Sequence, residues 1–242
     1  MKLAIMQPYF FPYLGYFDLI NRVDRWIVFD TPQYIRHGWV NRNRILHPTS
    51  GWQYIIVPLK KHHRDTPIYE IQSNSTQDWS RKITKQLEHY KNKAPFYHET
   101  IDLVKRCLAC EEQSLSRLNT MILREICDVL EIPFDFEYYS EMSLELGQVQ
   151  GPGDWALQIS RTLNVREYVN APGGDQLFDH RRFEEEGIKL SIQRYESFRY
   201  KTDPYEYIPD LSIIDVLMWN SPPSVHAYLA GVKQKELHTD GS

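Results

Sequence analysis

The sequence predicts an α/β fold: a mainly parallel open sheet with flanking helices and a helical middle segment. Short apolar runs, such as residues 3–5 and 26–28, alternate with segments whose apolar residues recur at helical spacing. This pattern is typical of parallel strands joined by helices. Helical spacing is nearly continuous over residues 74–132. We therefore expect a single α/β domain over residues 1–242, with a helical subdomain at 74–132 inserted in it.

The first strand, residues 3–5, runs into an aromatic loop. Pro8 and Pro12 exclude a regular helix between them, and helical spacing begins at Tyr13. Gly15 allows backbone or ligand to approach the first helical turn closely. Ligands of open α/β sheets lie outside the carboxyl ends of the strands, which is where this loop would sit. Aromatic residues around such a turn also commonly cap a core, so both roles stay open. The candidate ligand-binding residues here are Gln7, Tyr9, Tyr13 and Tyr16.

The second strand, residues 26–30, ends in a carboxylate, Asp30, and Gln33 follows in the next turn. Residues 40–46 and 52–58 also have strand character. The turn at residues 49–51 predicts that these two segments form a hairpin. Asp30 is a candidate general base because it lies at a strand end.

The segment from Thr31 to Arg64 contains no Asp or Glu but six Lys or Arg and four His. In an acidic chain this is a local positive field, although such a run can also be a solvated face. Arginine is the bidentate partner of phosphate and carboxylate. We expect Arg42, flanked by Asn41 and Asn43, to bind an anion, and the basic loop at 60–64 to close over it. His37 is a second candidate base.

The rest of the chain predicts three helices over residues 77–91, 96–109 and 114–130, and then a return to strand–helix alternation. A strand at 167–170 runs into a second loop, where Gly173 and Gly174 allow positive φ and exposed N–H groups. With Asn170 they form a candidate anion cradle. In the helix over residues 211–220 we interpret Asp215 as a hydrogen-bonded core carboxylate. A charged tail follows from Gly231.

Overall composition narrows the class of protein. The 242 residues carry a net charge of −4, which gives no indication of a nucleic-acid partner. Since no apolar run approaches the ~20 residues of a membrane-spanning helix, we expect no membrane insertion. The three cysteines and the absence of a secretory signal favour a cytoplasmic protein. No metal site is expected. The oligomeric state stays open.

Four motifs resemble one family. They are MQPYFFPYLGYF at residues 6–17, GWVNRN at 38–43, NAPGG at 170–174 and LSIID at 211–215. Together they resemble the WbqC-like proteins, and they span nearly the whole chain. Members of that family are typically found among bacterial enzymes of surface-polysaccharide and nucleotide-sugar biosynthesis. The resemblance therefore implies a lipopolysaccharide or O-antigen context, but not a reaction.

The first loop also looks like that of the HIGH-type nucleotidylyltransferases, in which a strand–loop–helix holds the phosphates of ATP. This likeness implies a Rossmann-like, nucleotidylyltransferase-like sheet. Both motif histidines are replaced by aromatic residues here, Tyr16 among them. Their phosphate role therefore cannot be carried over.

The leading hypothesis is a transferase that moves an acyl or aminoacyl group to the amine of a nucleotide-activated sugar. Tyr9, Tyr13 and Tyr16 would stack on the sugar or base, and Asp30 or His37 would be the general base. One alternative is an ATP-dependent ligase or nucleotidyltransferase, and another is a non-catalytic sugar-nucleotide-binding scaffold. No cofactor follows from the motifs; ATP and an acyl or aminoacyl donor are the two options. The expected partner is a nucleotide sugar or another phosphorylated small molecule.

Overall fold

A computed structural model describes residues 1–239, and the side chains of residues 1–232. Its regular elements, in chain order, are β1 (Lys2–Met6), α1 (Leu14–Asn21), β2 (Arg25–Val28), β3 (Arg42–Leu46), β4 (Trp52–Ile56), α2 (Trp79–Leu87), α3 (Tyr97–Leu108), α4 (Leu115–Val129), β5 (Phe136–Tyr138), α5 (Pro152–Thr162), β6 (Glu167–Asn170), α6 (His180–Glu185), β7 (Lys189–Ile192), α7 (Ile213–Trp219) and α8 (Pro222–Thr239). Short 3₁₀ turns lie between several of them.

Five strands form one parallel sheet in the order β5-β2-β1-β6-β7. The predicted α/β class with a mainly parallel sheet is therefore confirmed. From β1 the chain proceeds outward through β2 to β5, then returns to the other side of β1 and proceeds through β6 to β7. The strand order thus reverses between β1 and β6. In open α/β sheets such a reversal creates a crevice outside the carboxyl ends of the two strands.

Apolar side chains cover both faces of the sheet. Ala4, Trp26 and Val28 belong to the larger core cluster, which also contains residues of α1, the β3–β4 hairpin, α2, α3, α4 and α7. Leu3 and Ile27 belong to a second cluster that includes residues of α5 and α6. Neighbouring residues of one strand point to opposite faces, so continuous apolar strands are what a sheet covered on both sides requires.

Residues 29–135 lie in the chain between β2 and β5. The predicted hairpin is confirmed, because β3 and β4 pair antiparallel with Arg42 opposite Ile56 and Leu46 opposite Trp52. Helices α2, α3 and α4 fall within residues 74–132 and contribute to the same core cluster as α1. Their separation as a subdomain stays a prediction.

The C-terminal segment differs from expectation. Helix α8 continues through Gly231 to Thr239, so the expected tail is helical to that point, and residues 240–242 lie outside the described part of the chain.

Within the described residues no helix has both the length and the apolar character needed to span a membrane.

Candidate functional site

A cavity of about 1360 Å³ opens at the carboxyl edge of the sheet, beside the neighbouring strands β1 and β6. Residues after both strands line it, as expected for a ligand site at the point of strand reversal. Its walls come from the β1–α1 loop, from the turn after β2, from the start of β3, from the N-terminal end of α5, from the β6–α6 loop and from the segment between β7 and α7.

The β1–α1 loop is held in one conformation by donors from α1, from β3, from α4 and from the start of α7. Its carbonyl oxygens accept as follows: Gln7 from Tyr16 Oη at 2.7 Å, Pro8 from Asn119 Nδ2 at 2.9 Å, Phe10 from Asn43 Nδ2 at 3.0 Å, Phe11 from Ser212 Oγ at 2.8 Å and Pro12 from the Ile213 N–H at 2.8 Å. Because buried carbonyls are costly to leave unpaired, these bonds make the loop rigid before any ligand arrives.

The aromatic residues of this loop divide into two groups. Phe10 and Phe11 are buried in the core, with ring centroids 4.9 Å apart. Phe11 has a φ of 40°, a left-handed conformation that its neighbours must stabilise. Tyr9 and Tyr13 are only partly buried and line the cavity. Tyr16 also belongs to the lining, but it is 2% exposed and its hydroxyl is engaged with Gln7.

Gly15 makes room for rings of the protein itself. A Cβ at this position would lie 2.3 Å from Cε2 of Tyr13 and 2.9 Å from Cδ1 of Tyr195. These two rings meet edge to face, with centroids 5.6 Å apart. Two tyrosine rings therefore occupy the space that we expected for backbone or ligand. Burial, and secondarily the Asp210 carboxylate, raises the pKa of Tyr13 to about 12, so its hydroxyl stays protonated and can donate.

Arg44 is the arginine that lines the cavity. Its guanidinium carbon lies 5.3 Å from the ring centroid of Trp39 and 5.3 Å from that of Trp52. Its Nη2 donates to the carbonyl oxygen of Asp210 at 3.3 Å, whereas its Nε is buried with no hydrogen-bond partner among the residues that the structure describes. An unpaired buried donor on a charged group is costly, and the side chain would have to move for a ligand oxygen to reach this one.

Asp210 is the acidic residue of the cavity lining. Its Oδ1 accepts a hydrogen bond from Ser197 Oγ at 2.8 Å, and its φ of 55° is left-handed. Among the described residues that line the cavity, Arg44 and Asp210 are the only Asp, Glu, Lys or Arg, and none is His or Cys. The remaining lining is aromatic, aliphatic or amide in character, apart from the hydroxyls of Thr31 and Ser197 and the thioether of Met6.

The loop after β6 places Asn170 against Gly174. Asn170 Oδ1 accepts from Tyr168 Oη at 3.0 Å, and its Nδ2 donates to the Ala171 carbonyl at 2.9 Å. A Cβ on Gly174 would lie 2.2 Å from that Nδ2, whereas a Cβ on Gly173 would meet nothing within 4 Å. Both glycines lie in the 3₁₀ turn Pro172–Leu177, and neither has positive φ. The turn therefore does not use the positive φ that glycine allows.

Asp30 lies outside the cavity lining and is 1% exposed. Its Oδ2 accepts from Ser116 Oγ at 3.1 Å and from Ser140 Oγ at 2.9 Å, and its Oδ1 accepts from the Ser140 N–H at 3.0 Å. These bonds join β2 to α4 and to the turn after β5. Both carboxylate oxygens are engaged away from the cavity, which favours a structural role for Asp30 over that of general base.

His37 and Arg42 also lie outside the cavity lining and contact each other. Arg42 donates to the His37 and Gly38 carbonyls, and its guanidinium carbon lies 4.1 Å from the Tyr54 ring centroid. The guanidinium of Arg42, which we expected to bind an anion, is thus engaged by these groups of the protein. Asn41 is likewise absent from the lining, because it joins Tyr34 Oη to the Val57 carbonyl.

The structure brings together nine of the predicted site residues: Gln7, Tyr9, Tyr13, Tyr16, Gln33, Asn43, Asn170, Gly173 and Gly174. It leaves four outside the cavity: Asp30, His37, Asn41 and Arg42. Sequence reasoning did not select Arg44, Asp210 or Tyr195. Arg44 could have been found, since it alternates with Arg42 in the basic segment. Asp210 and Tyr195 lie in an irregular segment without a motif of its own.

No metal-binding arrangement of three or more His, Cys, Asp or Glu side chains occurs in the described part of the chain.

Comparison with known proteins identifies the family. The WbqC-like protein family matches residues 7–227. The uncharacterized protein Rv1507c of Mycobacterium tuberculosis (strain ATCC 25618 / H37Rv) is 33% identical over 219 residues, which is 89% of this chain and 92% of that protein. No solved structure gives a significant match. The chain belongs to the WbqC-like protein family.

Proposed function

We propose that the chain is a transferase that moves an acyl or aminoacyl group to the amine of a nucleotide-activated amino sugar. The observation that carries this proposal is the cavity at the β1/β6 reversal, which combines aromatic rings and neutral amides with one arginine and one aspartate. Aromatic faces stack on sugar rings and bases, and amides bind hydroxyl groups. The surface-glycan context rests on the family resemblance.

Three kinds of side chain would bind the ligand: aromatic rings, amides and an arginine. Tyr9, Tyr13 and Trp155 present ring surface to the cavity, while Gln7 and Gln150 supply amides. Arg44 supplies the positive charge for a phosphate or carboxylate oxygen. The pre-formed β1–α1 loop keeps the rings in place, which lowers the entropy cost of binding.

Asp210 is the group we assign to proton transfer. A sugar ammonium must lose a proton before its nitrogen can attack the acyl carbon. The Asp210 carboxylate accepts this first proton. The nitrogen–carbon bond then forms, the bond from the acyl carbon to the leaving group breaks, and the second proton released by the nitrogen is carried off by the leaving group. The hydrogen bond from Ser197 holds the carboxylate in position. Tyr13 cannot be the base because its pKa is about 12.

A second candidate function is binding without turnover. The observation in its favour is that the described cavity lining contains no His, Cys, Lys or Glu, the residues that most often carry acid–base or nucleophilic chemistry. Such a protein would hold a sugar nucleotide for a partner enzyme.

The test combines binding with product analysis. Thermal unfolding is followed with UDP- and dTDP-amino sugars, with UDP and with Mg-ATP, because a ligand that binds the native state alone raises the midpoint. Protein that responds to an amino-sugar nucleotide is then incubated with a panel of acyl and aminoacyl donors, and products are examined by mass spectrometry. We expect an N-acylated product from the wild type. Asp210→Asn should still bind but turn over at least ~100-fold more slowly. Binding without product favours the scaffold, and a response to Mg-ATP alone favours an ATP-dependent ligase or nucleotidyltransferase.

A further inference from the structure

A second pocket of about 660 Å³ adjoins the main cavity. It is lined by Gln33, Tyr34, Ile35, Arg36, His62 and Arg64. Gln33 and Ile35 line both spaces, so the pocket and the cavity are neighbours across these two residues. We call it the basic pocket.

The basic pocket has a fixed frame. The Tyr34 N–H donates to the Thr66 carbonyl at 2.9 Å, and Gln33 Nε2 donates to the Arg64 carbonyl at 2.9 Å. The Tyr34 hydroxyl donates to Asn41 Oδ1 at 2.8 Å, and the His62 ring lies edge-on to Tyr34 with centroids 5.3 Å apart. The turn after β2, which carries Arg36, and the loop after β4, which carries Arg64, are therefore joined at the pocket.

The charges of the basic pocket are unbalanced. The guanidinium groups of Arg36 and Arg64 make no hydrogen bond or ion pair with any side chain that the structure describes. None of the lining residues is Asp or Glu. Asp65, the next residue in the chain, directs its carboxylate to His63, 3.5 Å away. Two guanidinium groups beside an imidazole, without a carboxylate in the lining, produce a positive potential that suits an anion with several oxygens.

The main cavity by itself does not match the charge of a nucleotide sugar. Its lining contains one arginine and one aspartate, whose charges offset each other. A nucleoside-diphosphate sugar carries a negative charge on each phosphate, and buried charges require partners. The basic pocket supplies those partners next to the cavity.

We propose that the basic pocket is the diphosphate subsite of the ligand whose sugar occupies the main cavity, with the ligand crossing between them over Gln33 and Ile35. Ile35 is 62% exposed, and its apolar side chain at the crossing offers a surface for the sugar or base. This proposal rests on the proposed function, since it assigns the phosphates of the same substrate.

The test uses two double variants with equal changes in charge. Arg36→Gln/Arg64→Gln alters the basic pocket. Arg106→Gln/Arg124→Gln alters exposed arginines of α3 and α4 that line neither space, and serves as the control. Calorimetric titration measures the affinity of a UDP-amino sugar, of inorganic pyrophosphate and of the free amino sugar at low and high salt. The pocket variant should bind the UDP-amino sugar and pyrophosphate at least tenfold more weakly, with a smaller salt dependence, while the control variant stays within twofold.

The failure of each proposal has a separate signature. If the wild type binds the UDP-amino sugar and the pocket variant binds it equally well, the subsite is wrong and the proposed function stands. If the wild type binds pyrophosphate through Arg36 and Arg64 but binds no amino-sugar nucleotide, the anion pocket is real but the proposed substrate is wrong. If binding of the free amino sugar is also lost in the pocket variant, the arginines act on the fold and not on the phosphates, which contradicts the subsite.

Discussion

The hydroxyl of Ser212 donates a 2.8 Å hydrogen bond to the carbonyl oxygen of Phe11, the residue of the β1–α1 loop with a left-handed backbone. The Ser212 N–H also donates to the Arg44 carbonyl at 2.8 Å. One residue before α7 therefore holds both the aromatic loop and the strand that carries the cavity arginine. The LSIID segment at residues 211–215 thus supports the cavity walls, although none of its own residues lines the cavity.

Ser212→Ala should lower the free energy of unfolding by about 1–3 kcal/mol, because it leaves the buried Phe11 carbonyl unpaired and removes the side-chain cap of α7. Urea denaturation measures the change. Ser224→Ala, at an exposed position of α8, is the matched control and should change stability by less than ~0.5 kcal/mol. Equal stability of the two variants would show that Ser212 does not hold the loop.

Arg44 and Arg42 form a matched pair on the same face of β3. Arg44→Gln should weaken binding of an anionic ligand at least tenfold, because Arg44 lines the cavity and Arg42 does not. Arg42→Gln should stay within threefold, since Arg42 contacts Tyr54 and the 37–38 carbonyls. Calorimetric titration of both variants measures these affinities, and the opposite ranking would move the anion site to Arg42.

Two adjacent glycines test the β6–α6 loop. Gly174→Ala places a methyl group 2.2 Å from Asn170 Nδ2, so Asn170 must move and give up its bonds to Tyr168 and Ala171. We expect a loss of about 1–3 kcal/mol in stability, and weaker ligand binding. Gly173→Ala meets open space and should stay within ~0.5 kcal/mol of the wild type. Thermal unfolding of the two variants would reveal the difference, and similar midpoints would argue against the packing described.

Asp215 predicts a pH dependence of stability. Burial raises its pKa to about 6, and hydrogen bonds from Tyr90 and Tyr200 at 2.6 and 2.7 Å partly oppose that rise. The folded state therefore binds a proton more tightly than the unfolded chain, whose Asp pKa is about 3.9. The contribution of Asp215 to stability falls as the pH rises from about 4 to about 6 and stays low above it.

The measurement compares the wild type with Asp215→Asn by urea denaturation between pH 4.5 and 7.5. The free energy of unfolding of the wild type, relative to that of the variant, should fall by on the order of 2 kcal/mol as the pH rises. A difference that does not change with pH would mean that Asp215 titrates normally.

The pH dependence of stability that His89 contributes should be opposite in sign to that of Asp215. Burial lowers its pKa to about 4, and its Nε2 and Nδ1 are engaged by the Leu46 carbonyl and Tyr205 Oη at 3.1 and 2.9 Å. Since the unfolded chain binds the proton more tightly, stability due to His89 is lost as the pH falls from about 6.5 through 4. His89→Gln should therefore lose less stability on acidification than the wild type. A steeper loss in the variant, measured by the same titration, would contradict this assignment.

The strands, most helices and the aromatic loop could be predicted because they depend on local patterns. Prolines, apolar periodicity and strand–helix alternation specify them within a few residues. The role of Asp30 could not be predicted in this way, because its partners Ser116 and Ser140 are 86 and 110 residues away in the chain. The choice between Arg42 and Arg44 depends on which ring lies beside each guanidinium, and that is decided by tertiary packing.

Hydrogen–deuterium exchange with a saturating UDP-amino sugar tests the central claim most directly. The account predicts simultaneous protection of peptides from three separate parts of the chain, residues 29–44, 170–178 and 195–210, because all three line one cavity or its basic extension. Helices α3 and α4, whose residues line neither the cavity nor the basic pocket, should be unchanged. No protection, or protection confined to a surface outside these segments, would contradict the assignment of the cavity as the substrate site.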